Sequence, residues 1–109
     1  MEKRTQGRLV CVQTTLDDPQ AARSFAKGLV EAGLAACVHI TVIGSVYRWQ
    51  GAVEEGEEQL LTIKTLAEKV DALEAHMRAH HPYDEPEFIV LPVDRASAGY
   101  SAWVAESVV

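Results

Sequence analysis

Three imidazoles fall close together in the second half of the chain: His76, His80 and His81, followed at once by Pro82-Tyr83-Asp84-Glu85-Pro86-Glu87. A four-residue spacing on a helix lets two imidazoles approach one divalent ion from the same face, and His81 adds a third nitrogen just beyond. Imidazole suits copper, nickel and zinc, and copper(II) binds nitrogen and oxygen donors most tightly among first-row ions. The alternative is a set of exposed helix-end histidines that favour the C-terminal dipole. Each proline fixes its own φ and pushes the residue before it, His81 or Glu85, out of the helical region. The helix must therefore stop at about His80 or His81. Its polar continuation is a stiff connection, the kind of segment on which binding groups concentrate.

Two further sets of residues have chemical potential. Cys37 and His39 share one strand face at i and i+2, a spacing open to a thiolate with its base, to two metal ligands, or to a core cysteine beside a surface or interface histidine. Lys64, Tyr47, Trp49, Tyr83, Glu85 and Glu87 would converge if a long hairpin lay beside the proline corner. That set offers a cation, two phenols and carboxylates for a small anion or a metal, or else an interface network of paired charges and aromatic anchors.

These groups need elements to hold them. Leu9-Val10-Cys11-Val12 is a continuous apolar run that suits a strand covered on both faces. Asp17-Asp18-Pro19 caps a first helix from about Pro19 to Ala32, with Ala22, Phe25, Ala26 and Leu29 at helical spacing and Gly33 to stop it. Ala36 to Trp49 alternates as one long strand, with a bulge expected at Gly44. Gln50-Gly51 reads as a tight hairpin turn into a third strand from about Ala52 to Lys64, irregular at Gly56, with Leu61 and Ile63 on one side and Leu60, Thr62 and Lys64 on the other. Thr65-Leu66-Ala67-Glu68 has the spacing of a capping box, which would start a second helix with the stripe Leu66, Val70, Leu73 and Met77. A fourth strand runs from Phe88 to Leu91. A short last helix, Ala98 to about Glu106, carries Tyr100 and Trp103 on one face.

The order of elements is the split βαβ of a ferredoxin-like α+β fold: two helices on one face of a four-stranded antiparallel sheet, plus a short C-terminal helix. At 109 residues and 48% hydrophobic composition, residues 1–109 form a single domain, with 1–7 as a loose N-terminus. Strands 2 and 3 carry Val, Ile or Leu on both parities, so the second sheet face needs a cover that the last helix is too short to provide. Packing in a closed oligomer is the simplest remedy.

The net charge of −6, with acids clustered at Glu54-Glu55-Gly56-Glu57-Glu58, argues against a nucleic-acid partner. No apolar run approaches a membrane span, so the chain is expected to be cytoplasmic. Cys11 and Cys37, without a CxxC, read as reduced, small buried hydrophobes.

Over roughly Leu9 to Trp103 the chain resembles the CutA family of divalent-cation tolerance proteins. The resemblance is carried by an ordered set of motifs: Leu34-Ala35-Ala36-Cys37-Val38, Ser45-Val46-Tyr47-Arg48-Trp49-Gln50-Gly51, Lys64-Thr65, His81-Pro82-Tyr83 followed by Pro86-Glu87, and Tyr100-Ser101-Ala102-Trp103. It implies a PII-like homotrimer associated with divalent-ion tolerance, able to bind copper(II), with no organic cofactor and no catalytic reaction. It also carries His80 and His81 over as metal ligands. The cysteine that accompanies them in the family falls at Gln13 here, with Cys11 two residues earlier on the same strand face, and His39 stands where the family usually has Asn. The expected metal set is thus His80, His81, His76 and Cys11. The expected ligand or interface cleft is Cys37, His39, Tyr47, Trp49, Lys64, Tyr83, Glu87 and Trp103. A PII-like module holding a small anion or nucleotide between subunits is the competing function, although no phosphate-cradling Gly-rich loop is visible.

Overall fold

The structure, a computed structural model, describes residues 8–109; the expectation for 1–7 lies outside the described residues. The elements are β1 (Leu9–Leu16), α1 (Pro19–Glu31), β2 (Cys37–Trp49), β3 (Ala52–Leu66), a single 3-10 turn (Ala67–Lys69), α2 (Val70–His80), β4 (Ile89–Pro92) and α3 (Ala98–Ser107). The strands form one antiparallel sheet in the order β2-β3-β1-β4. Each βαβ unit is therefore split by a strand of the other, as the element order predicts.

Local chemistry sets the boundaries. The Asp18 side chain accepts from the Ala21 N–H at 2.7 Å with Pro19 opening α1, and Gly33 at φ +74° ends that helix. Gln50 and Gly51 both take positive φ, +49° and +83°, which makes the β2–β3 connection the two-residue turn matching strand twist. His81, held extended at ψ 136° by Pro82, ends α2.

Two expected features are replaced. There is no bulge at Gly44: β2 and β3 pair without interruption from Cys37↔Lys64 to Trp49↔Ala52, with Gly44 opposite Glu57 and Ser45 opposite Gly56. The break in the β-branched pattern reflects two missing side chains on facing strands, not an inserted residue. Nor does Thr65 cap α2. It is the penultimate residue of β3, fully buried, and its hydroxyl donates to the Leu34 carbonyl at 2.8 Å across 31 residues. The chain stays extended through Leu66 and turns at Ala67 without a side-chain cap.

Val10, Val12 and Leu16 of β1 and Leu61 and Ile63 of β3 point to the side covered by α1 and α2, where Ala22, Leu29, Leu73 and Met77 complete the core. At about 1.5–3 kcal/mol for each large aliphatic side chain, this layer is the main source of stability. On the opposite face, among the described residues, α3 covers one end alone, through Val104 and Val108 against Ala36 and Leu66. Beyond the part of β3 that pairs with β1, residues 43–58 continue as a two-stranded ribbon, which gives the molecule its 55 Å length against 25 and 21 Å in the other directions.

Candidate functional site

The last two turns of α2 present His76 and His80 one above the other, with ring centroids 4.3 Å apart. His76 is half-buried because Phe25 of α1 packs on it at 5.9 Å, whereas His80 is exposed. Burial, and then the like charge of His80, hold the His76 imidazole below its usual pKa.

His81 is oriented differently. It is only 8% exposed, lies against Phe25 and Tyr83, and uses both ring nitrogens. The Tyr83 backbone N–H donates to Nδ1 at 3.1 Å, so the hydrogen is on Nε2, which donates to the Thr15 carbonyl at 3.0 Å. Burial lowers its pKa, with the Thr15 carbonyl opposing. In this arrangement no lone pair of His81 is free for an ion.

Cys11 is set on the other side of the sheet from the imidazoles. It alternates with Val10 and Val12 and so points to the sheet face away from α2. The expected set of His76, His80, His81 and Cys11 therefore does not converge within one chain, and among the described residues no group of three or more His, Cys, Asp or Glu side chains is gathered as a metal cage.

The second expected set divides in two. At one end of the uncovered face, Cys37, Lys64, Cys11 and Leu91 form a single cross-strand row, and His39, Thr62, Gln13 and Ile89 form the next. The Lys64 ammonium lies 5.8 Å from the centroid of the Tyr100 ring, itself 5.6 Å from Trp103. Near the ribbon, the Tyr83 phenol is pushed up to about 12 by burial and by the carboxylates of Asp17 and Glu58, with Tyr47 also near. Lys64 lies six positions along β3 from Glu58, roughly 20 Å of strand, so it does not join Tyr47 and Tyr83. Glu87 is half-buried in the connection before β4, and Trp49 stands exposed beside the ribbon turn.

Residues the sequence did not assign to a site complete both places: Phe25 and the Thr15 carbonyl behind the histidines, and Asp17 and Glu58 around the phenol. Phe25, Asp17 and Glu58 carried signals of another kind, as a helix stripe, a helix cap and an acidic cluster; Thr15 carried none.

The model of the CutA1 divalent ion tolerance protein matches residues 10–107. The chain belongs to the CutA1 family. Among its relatives, a Xenopus laevis CutA homolog is 43% identical over 94% of this chain and 68% of its own length, and the Thermus thermophilus divalent-cation tolerance protein CutA is 41% identical over 88% and 94%. The CutA structure from Synechococcus elongatus superposes with a TM-score of 0.91 at 42% identity, covering 94% of this chain and 92% of that one. The chain spans about half the length of the plant and mammalian CutA relatives it matches. An Arabidopsis CutA is named chloroplastic and an Archaeoglobus fulgidus CutA periplasmic. In this CutA chain no described helix is long and apolar enough to cross a membrane.

Proposed function

We propose that this CutA chain works as a PII-like homotrimer in divalent-ion tolerance, binding copper(II) without catalysing a reaction, in the cytoplasm. The observation that carries the assembly is the uncovered sheet face and its ribbon, where Tyr47, Trp49, Ile89, Leu91, Tyr100 and Trp103 all remain exposed. So many large apolar groups mark an interaction surface, and a closed ring of identical chains would cover them. Copper(II) is favoured as the ion by the imidazoles at the end of α2. The reducing compartment suits Cys11 and Cys37, which flank Lys64 on strands about 10 Å apart and are too distant to pair.

Sedimentation equilibrium should give three times the 11.9 kDa chain mass, and calorimetry should show copper(II) binding at neutral pH. A monomer would refute the assembly, and a flat copper titration the metal. A second reading is favoured by the Lys64–Tyr100 contact on the bare face: a small anion between subunits, held by the Lys64 ammonium. Titration with nucleotides and carboxylates tests it, with Lys64→Ala expected to remove any binding seen.

A further inference from the structure

Of the histidines gathered at the proline corner, two are placed to share an ion and one is withheld. His76 and His80 stand on consecutive turns of α2 with centroids 4.3 Å apart, and Phe25 against the His76 ring limits its swing. The helix backbone fixes the spacing, so the ion meets a chelate whose ordering cost is already met in part. His81 has Nδ1 occupied by the Tyr83 N–H and Nε2 hydrogen-bonded to the Thr15 carbonyl. Coordinating a metal through either nitrogen would leave one of those backbone groups without its partner inside a buried corner.

We infer that the divalent ion is held at the end of α2, on the flank beside Phe25, by a two-imidazole chelate of His76 and His80, with water completing its coordination, while His81 serves to tie the proline corner to the end of β1. This rests on the proposed copper binding and assigns the residues for it. Copper(II) is preferred over nickel and zinc at such a site. It stands highest in the first-row affinity order and accepts two adjacent imidazoles in a tetragonal arrangement, whereas zinc favours three or four protein ligands. Arg78, on the same stretch of helix, is held by Glu74 at 2.8 Å and so has its own anionic partner beside the site.

The experiment is a titration of the full-length chain with copper(II), nickel(II) and zinc(II) salts, comparing the parent with His76→Ala, His80→Ala and His81→Gln. His76→Ala and His80→Ala should each weaken copper binding by more than the roughly 10-fold that losing even an outer partner of a ligand costs. His81→Gln should leave it within a factor of about two. Since His81→Gln also alters the corner, a second measurement uses the parent alone: zinc added during imidazole NMR should move the His76 and His80 resonances and leave those of His81 in place. If His81 moves, or if His76→Ala binds copper as the parent does, the chelate is overturned while copper binding stands. If the parent binds no copper, the proposed metal function fails and the chelate with it.

Discussion

The two faces of the sheet are built from the same strands and end in opposite conditions. Under α1 and α2, Val12, Leu61 and Ile63 have no exposure, closed in by helix residues such as Ala22, Leu29, Leu73 and Met77. On the other face Trp49 is 57% exposed, Trp103 45% and Leu91 42%, with α3 reaching one end only. Alternation along a strand reveals which residues share a face, but not whether the cover comes from the same chain or another. The covered face is a property of one chain, and the proposed homotrimer assigns the cover of the bare face to its neighbours.

Breaking the covered face should have the largest effect. Leu61→Ala, at a fully buried position, is expected to cost about 3 kcal/mol, measured by urea unfolding and present at every protein concentration. An effect below about 1 kcal/mol would mean that the helices do not seal this layer.

Trp49→Ala probes the bare face and should cost about 2 kcal/mol of association per contact, roughly a 30-fold weaker dissociation constant. Sedimentation equilibrium reads it as a concentration-dependent fall in mass with the circular dichroism of the chain retained. An unchanged mass over the whole range would remove Trp49 from the contact.

His81→Ala leaves the Thr15 carbonyl and the Tyr83 N–H unpaired and should cost about 1–3 kcal/mol. The same residue gives the comparison a pH dependence. His76 and His81 are both held below the ordinary imidazole value, so as pH falls through about 6.5 the unfolded chain binds protons before the folded one does. Stability is then complete above about 6.5 and declines below it. Thermal midpoints of the metal-free protein at pH 7.5 and 5.5 should show this decline, and His81→Gln should make it shallower. An identical slope in the variant would assign the effect to other groups.

The smallest effect lies within the core. The Thr14 hydroxyl is fully buried and has no hydrogen-bond partner among the described residues, so Thr14→Val should raise stability by about 1 kcal/mol. A lower melting point would show that the hydroxyl is satisfied after all.

What was legible in the sequence is what neighbouring residues decide. Asp18-Pro19, Gln50-Gly51 and His81-Pro82 each impose a backbone state locally, and the boundaries they predict are present. The parity of Leu61 and Ile63 against Leu60, Thr62 and Lys64 is equally local. Thr65 departs from its capping-box spacing because its hydroxyl partner is Leu34, 31 residues away, a competitor that local spacing cannot reveal. The histidines divide the same way. The His76–His80 approach follows from helical pitch, whereas the orientation of His81 depends on Thr15, 66 residues distant in the chain. A hairpin can be imagined beside the proline corner anywhere along its length, but the register puts Lys64 opposite Cys37, roughly 20 Å of strand from the Glu58 beside which Tyr83 lies.

The ribbon of residues 43–58 has a consequence in time. Among the described residues its strands pair only with each other, and a lone two-stranded hairpin is marginal in water. Its amides should therefore open and exchange their hydrogens long before those of β1, without the rest of the chain unfolding. Any surface that comes to lie against the ribbon would slow that exchange, and if the surface belongs to identical chains, the slowing would increase with protein concentration. The ribbon's exchange clock would then register how much of the protein has found company.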